Sequence, residues 1–259
     1  MKLLSGILGL TLTSAVALAS ANAADLYRGP AGGGLKDGPY IPVATWTGFY
    51  IGVNGGYAFG ASDKDVTLLT PGGAYYDTVP GASPHGGFGG GQIGYNWQGF
   101  YHPNLVFGIE ADIQGAGIED SYHYTSLKGA TGTSRGKEST DYFGTVRGRL
   151  GYAFERTLIY ATGGFAYGDA SYNLYDVAHP LVYKGDGGTR TGYVVGGGLE
   201  YKLTPAWSVK AEYQYINLGT QNLTDVVVPG YTARDAEVDF HTVRLGLNYS
   251  VGHGYEPLK

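Results

Sequence analysis

The sequence predicts an all-β chain: an eight-stranded antiparallel up-and-down β-barrel that closes inside a membrane. Three observations carry this expectation. From Trp46 onward, eight segments alternate apolar and polar residues with a period of two. The connections between them are in part short turns and in part stretches of roughly twenty residues, the pattern of a barrel with turns on one side and loops on the other. The first residues read as an export signal, and no apolar run long enough for a membrane helix follows.

The export signal is expected over 1–23. Lys2 supplies a positive start, Leu3–Ala19 is apolar or small, and Ala21-Asn22-Ala23 fits the small-x-small cleavage pattern. Residues 24–45 contain Gly and Pro with little periodicity and read as a flexible periplasmic N-terminal arm; 46–251 is the barrel and 252–259 a short C-terminal tail. Glycine supplies 46 of 259 residues and tyrosine 24, and there is no cysteine. Without disulfides, an exported chain must rely on strand pairing, packing or closure in a membrane. Mean hydropathy is slightly negative. That excludes helical spans but not a barrel, in which only alternate residues face lipid. A net charge of −5, with no basic patch interleaved with aromatics, argues against nucleic-acid binding.

The first strand is expected from about Trp46 to Gly60, with Phe49, Ile51, Val53, Tyr57 and Phe59 on one face and Tyr50, Gly52, Asn54, Gly56 and Ala58 on the other. The second, near Gly86–Gln98, turns Ile93, Tyr95 and Trp97 outward. The third, Asn104–Gly115, sets Leu105, Phe107, Ile109, Ala111 and Ile113 against Glu110, Asp112 and Gln114. The fourth, Thr140–Phe154, sets Tyr142, Val146, Leu150, Tyr152 and Phe154 against Thr145, Arg147 and Arg149. For the fifth, Thr157–Gly168, a two-residue turn at Glu155-Arg156 would put Ile159, Ala161, Phe165 and Tyr167 outward, and a longer turn would reverse this. The sixth, Arg190–Leu203, opposes Tyr193, Val195, Leu199, Tyr201 and Leu203 to Glu200 and Lys202. The seventh, Ala206–Gly219, opposes Trp207, Val209, Ala211, Tyr213 and Tyr215 to Lys210, Glu212 and Gln214. The eighth, Val238–Val251, opposes His241, Val243, Leu245, Leu247, Tyr249 and Val251 to Arg244 and Asn248, with His241 out of keeping with its apolar face.

Glu155-Arg156, Thr204-Pro205-Ala206 and Gln98–Pro103 are the short connections. The long ones lie near Ala61–His85, Ala116–Ser139, Asp169–Thr189 and Thr220–Glu237. All three tryptophans, Trp46, Trp97 and Trp207, fall at the short-turn end, level with Phe154, Tyr201 and Tyr249. These six residues are expected to form the aromatic girdle at the periplasmic interface.

The polar faces carry both signs: Glu110, Asp112, Glu200 and Glu212 against Arg147, Arg149, Lys202, Lys210 and Arg244. An eight-stranded interior is only wide enough for side chains, so these charges are expected to neutralise one another as a plug instead of lining a channel. The turn at Pro205 puts Glu200 across from Lys210, and the two are expected to pair. Inward glycines leave room for long neighbours. Gly89–Gly91 and Gly196–Gly198 are read this way, because no helix and no Lys-Ser/Thr follows them as a phosphate loop requires.

The run Trp46-Thr47-Gly48-Phe49-Tyr50-Ile51-Gly52, after a Pro/Gly-containing N-terminal stretch, resembles the start of the small porin-like outer-membrane proteins of alphaproteobacteria. Leu158–Gly168 (LIYATGGFAYG) and Val243–Tyr249 (VRLGLNY) are similar to later landmarks of that family. The resemblance spans nearly the whole chain after 23. It implies an OmpA-like barrel in the cell outer membrane of a Gram-negative bacterium, in a family whose members bind haem at the surface, link envelope layers or act as antigens. The chain departs from the pattern at its end, where Gly252–Lys259 follows Val251 in place of a terminal aromatic residue.

Catalytic chemistry is not expected. Ser126, Ser134 and Ser139 form no recognisable nucleophile–base set with His123, and no histidine pair has zinc-site spacing, so no metal site is assigned. His85, His123 and His179 fall in three long loops and could supply axial ligands to haem, with Tyr75, Tyr76, Tyr122, Tyr124 and Tyr183 near them. Three roles follow: a structural surface barrel with long extracellular loops and a plugged polar interior, which leads; a narrow porin for small solutes; or a haem or other ligand-binding surface receptor. The expected partners are outer-membrane lipid, lipopolysaccharide and, during biogenesis, the outer-membrane assembly machinery.

Overall fold

The computed structural model describes residues 45–61, 65–79, 83–124, 134–176, 181–184, 188–225, 230 and 232–251. The expected signal peptide at 1–23, the expected arm at 24–45 apart from Thr45, and the expected tail at 252–259 lie outside the described residues. The strands are β1 (Gly48–Gly60), β2 (Val66–Leu69), β3 (Tyr75–Val79), β4 (His85–Gln98), β5 (Leu105–Tyr124), β6 (Ser134–Phe154), β7 (Thr157–Asp176), β8 (Leu181–Lys184), β9 (Gly188–Lys202), β10 (Trp207–Asp225) and β11 (Thr232–Val251).

Eight of these close a ring in the order β1–β4–β5–β6–β7–β9–β10–β11, every pair antiparallel, with β11 returning to β1 from Phe49↔Val251 to Gly60↔Phe240. Closure leaves the ring no free edge, so each strand's backbone groups are paired where water is absent. The outward positions are the apolar ones: Ile51, Val53, Ile93, Ile109, Val146, Leu150, Val195, Leu199, Val243 and Leu245 are all exposed on the wall. Among the described residues no helix is long and apolar enough to cross a membrane.

The facing of β7 follows from its turn. Phe154 pairs with Thr157 across Glu155-Arg156, and Glu155 adopts a φ of 51°. A positive φ at the first central residue lets the turn follow the strands' twist. Ile159 and Phe165 therefore face out, and Leu158, Tyr160 and Ala166 face in.

Five ring strands, β5, β6, β7, β10 and β11, run six residues or more past the ends that period-two alternation marks. The register slips between Gly115 and Ile118 on β5, between Ser139 and Phe143 on β6, and between Asn217 and Thr220 on β10, where Gly219 has a φ of 82°. Each slip places one extra residue on one strand, a β-bulge of the kind found at barrel rims. One extra residue swaps the two faces, so the apolar pattern breaks while the strand continues.

Above that level three short strands take over positions in the wall. β2 pairs with β11 at Thr232–Arg234, beyond the part of β11 that β1 covers, and β3 pairs with β2. β8 sits between β7 and β10 above the start of β9. The stretches expected as plain loops are thus partly β-structure.

The interior is layered. At the short-turn end lie Trp46, Val106, Ala153, Leu158 and Tyr160. At the long-loop end lie Ala58, Phe88, Ile118, Phe143, Ala166, Val194, Ile216, Leu218, Val238 and Phe240, with Phe143 edge-on to Phe88 at 5.2 Å and to Phe240 at 5.4 Å. The charged side chains of Glu110, Asp112, Arg147, Arg149, Glu200, Lys210, Glu212 and Arg244 lie between these two apolar layers.

The wall predicts how charge is tolerated on it. Leu245 lies midway along the outward face of β11 and Val251 at its end. Leu245→Arg is expected to cost ~2–4 kcal/mol and Val251→Arg ~0–1 kcal/mol in lipid vesicles. Equal costs in denaturant unfolding would show that this face does not meet lipid.

Candidate functional site

The middle of the lumen is assembled by alternation alone. Residues two apart on a strand share a face, so β5 delivers Glu110 and Asp112, β6 Arg147 and Arg149, β10 Lys210 and Glu212, β9 Glu200, and β11 Arg244 to one enclosed space. The side chains of Glu110, Asp112, Arg147, Lys210, Glu212 and Arg244 are 0% exposed. Burying a charge is unfavourable unless a partner and hydrogen bonds replace water.

The partners are present. Arg147 reaches three carboxylates: Glu212 at 2.6 Å, Asp112 at 2.8 Å, and Glu110. Arg244 donates from Nε to Glu212 at 2.9 Å and from Nη1 to Asp112 at 3.1 Å. Lys210 Nζ donates to both oxygens of Glu110, at 2.8 and 2.9 Å. β10 and β5 are four places apart in the ring of eight, so this last pair spans the diameter. Arg149 donates to Glu200 at 2.7 Å and to Tyr50 Oη at 2.8 Å, and its guanidinium lies 3.9 Å from the Tyr160 ring centre. Four carboxylates thus face four cations.

Tyrosines and glycines complete the packing. Tyr50 Oη donates to Glu110 at 2.7 Å and Tyr160 Oη to Glu212 at 2.6 Å. A Cβ on Gly94 would overlap the Tyr50 ring, and one on Gly198 the Tyr160 ring. These glycines are therefore occupied space: each clears room for the ring on a neighbouring strand. Sequence reasoning placed Tyr50 on the inward face but missed its role, and missed Tyr160 and the Phe88–Phe143–Phe240 layer. The readable signal was an inward aromatic registered opposite an inward glycine.

Two expectations are corrected. Glu200 and Lys210 are register partners, but they do not pair. Glu200 takes Arg149, Ser208 at 2.6 Å and Asn248 at 2.8 Å, while Lys210, the longer chain, reaches across the lumen to Glu110. Trp46 does not join a lipid-facing girdle. It is 4% exposed, against 46% for Trp97 and 42% for Trp207. Counting by twos from inward Tyr50 through Gly48 puts Trp46 inside, and Gly48 between them has a φ of 137°, a backbone conformation open to glycine. Its indole lies 4.7 Å from Nζ of Lys202, which stands below the network, 3.4 Å from the Pro205 carbonyl oxygen. Trp97, Phe154, Tyr201, Trp207 and Tyr249 face outward at the short-turn end, joined by Tyr152, Phe100 and Tyr101.

The histidines suggested for haem are not brought together. His85 and His123 are exposed, and His85 registers with Glu119, four residues from His123 along β5. At ~3.3 Å per residue that separates them by about 13 Å. His179 lies outside the described residues. Among the described residues no group of three or more His, Cys, Asp or Glu could hold a metal ion.

Residues 8–250 match the family described as outer membrane protein beta-barrel domain. The chain is 41% identical over 221 residues to the 31 kDa outer-membrane immunogenic protein of Brucella melitensis biotype 1, covering 81% of this chain and 85% of that protein. It is 28% identical over 188 residues to the 22 kDa outer membrane protein of Rhizobium leguminosarum bv. viciae, covering 70% and 68%. Among solved structures, OprG from Pseudomonas aeruginosa aligns with a TM-score of 0.48 at 12% identity, over 79% of this chain and 97% of that one.

Arg147→Met removes one of the two guanidinium groups shared by Glu110, Asp112 and Glu212, leaving Arg244 alone to bridge all three, and is expected to destabilise the barrel by ~3–5 kcal/mol. Adding Asp112→Asn should recover part of that loss. A double variant weaker by the full sum of the two single changes would mean the charges act independently.

At the rim, outside the membrane, burial together with the Asp120 and Asp239 carboxylates pushes Glu138 up to about 8, against the pull of Arg190. The folded value lies above the ordinary one, so between about pH 4.5 and 8 the folded rim holds a proton that the unfolded chain has lost. Rim stability therefore falls as pH rises through that window. Glu138→Gln should flatten this dependence, read by hydrogen exchange of β5 and β6 above their bulge after correction for intrinsic rates. An unchanged slope in the variant would assign it to another group.

Proposed function

This chain belongs to the outer membrane protein beta-barrel domain family and resides in the outer membrane, and from that premise we propose that it is a structural surface protein. In this reading its lumen is closed to solutes and its rim of β-structure is displayed outside. The observation that carries the reading is the Lys210–Glu110 pair across the full diameter, within a network whose six central members have no exposed side-chain surface. A solute would have to break several charge-assisted hydrogen bonds at once, and each group freed would remain in a low-dielectric interior. The apolar layers on either side add a second barrier, since an ion passing them would lose its water and gain no partner there.

The inward glycines argue against a narrow pore. Gly52 is filled by the Asn248 side chain, Gly94 by Tyr50 and Gly246 by the Lys210 stem. Outward display fits the immunogenic outer-membrane protein to which the chain is similar.

Planar-bilayer recordings of the folded monomer test the proposal. Brief, small events are expected, because side chains in such a plug fluctuate. Large, long-lived steps that persist after the extracellular connections are shortened would show an open barrel and overturn it.

A further inference from the structure

The lipid-facing wall carries one polar row that neither closure nor the plug requires. His85 on β4 and His241 on β11 are both cross-strand partners of Phe59 on β1, and Tyr215 on β10 is the next partner beyond His241. Two strand spacings separate the imidazole-bearing backbones, about 10 Å. The row lies on the outward face, at the end of the apolar band opposite Trp97 and Trp207. From Tyr249 in the lower girdle to His241 is eight residues, about 20 Å along the axis for strands tilted ~40°. With the short turns on the periplasmic side, the row stands at the outer-leaflet interface.

The row is built. His241 stacks on Tyr213 with ring centres 5.6 Å apart and an 18° angle, and lies 5.4 Å from Phe59 and 5.3 Å from Tyr215. The Tyr213 hydroxyl meets His241 Nδ1 at 2.7 Å. With that hydroxyl donating, Nε2 carries the proton and can donate outward. His85 has Nδ1 3.2 Å from the Ser83 carbonyl oxygen and its ring 6.5 Å from Tyr57. A nearby carboxylate, Asp239, two residues from His241 on the same face of β11 and itself buried, accepts the Tyr215 hydroxyl at 3.0 Å, so that hydroxyl is already engaged.

We propose that this row binds the phosphorylated saccharide headgroup of an outer-leaflet lipid, with His241 donating to phosphate from Nε2 and His85, whose Nδ1 donates to the Ser83 carbonyl oxygen, accepting a saccharide hydroxyl at Nε2 on the other side of Phe59. A polar side chain on the lipid face is unfavourable unless it meets a polar group of the lipid. Phosphate supplies that group at this depth, and the Phe59 ring offers an apolar face to a sugar. The inference rests on the outer-membrane placement of the barrel and not on whether its lumen conducts.

The test is native mass spectrometry of the refolded full chain with bisphosphorylated lipid A and with the same lipid dephosphorylated. The wild type is expected to retain the phosphorylated form about tenfold better, a difference of ~1.4 kcal/mol. The His85→Phe/His241→Phe double variant should lose most of that preference. Its fold is checked by heat-modifiable migration, and if it does not refold, the His241→Leu single variant, which keeps no donor, serves instead. Equal retention of both lipids by the wild type, or an undiminished preference in the variants, overturns the site. If inorganic phosphate alone shifts the His241 ring resonances as far as the lipid does, the source is soluble phosphate and the lipid assignment falls.

Discussion

Arg147 touches Glu110, Asp112 and Glu212 at once, and most of the interior is arranged to allow it. Four carboxylates confined in an eight-stranded ring repel one another and have lost their water. Only a cation able to bridge several of them makes the arrangement tolerable, and the planar guanidinium, with five donors, does this better than an ammonium group. Lys210 and Arg244 close the remaining sides, and the Tyr50 and Tyr160 hydroxyls satisfy what is left on Glu110 and Glu212. Such a network contributes less to net stability than its number of bonds suggests, because desolvation opposes it. Its larger effect is on specificity.

Register is where that specificity acts. Sliding one strand by a single residue would turn its charges to lipid and its aliphatic residues to the lumen. In a ring, a slip at any one ladder must be absorbed by the other seven, since shear and closure are linked. Bonds such as Arg244 to Asp112, between strands that are not neighbours, therefore tie the register of β11 to that of β5 directly.

Alternation made the wall legible: each run from Phe49 to Val251 could be assigned a face by counting in twos, and the lumen charges followed from the same count. Pairing was not legible, because register names the nearest backbone, whereas a lysine or arginine chooses among all carboxylates within reach of its stem. Lys210 passes over its neighbour Glu200 for Glu110 on the opposite wall. Trp46 was misjudged for a different reason: its position at the strand end suggested an interfacial aromatic, whereas its parity with Tyr50 turned it inward. The rim was hidden by bulges, since the extra residues near Gly117, Asp141 and Gly219 invert the pattern by which a strand is recognised.

The rim strands have a consequence for how such a protein can vary. β2 and β3 leave the ring after Gly60 and return at His85, and both anchor points are held by the ring itself, through Gly60↔Phe240 and Phe59↔His85. β8 likewise lies between two ring strands, β7 and β10, without belonging to the membrane ladder. Everything between such anchors can be exchanged while the register below stays fixed. The rim of the molecule is thus a socket for interchangeable segments, free to diverge at little risk to the part that must fold in lipid.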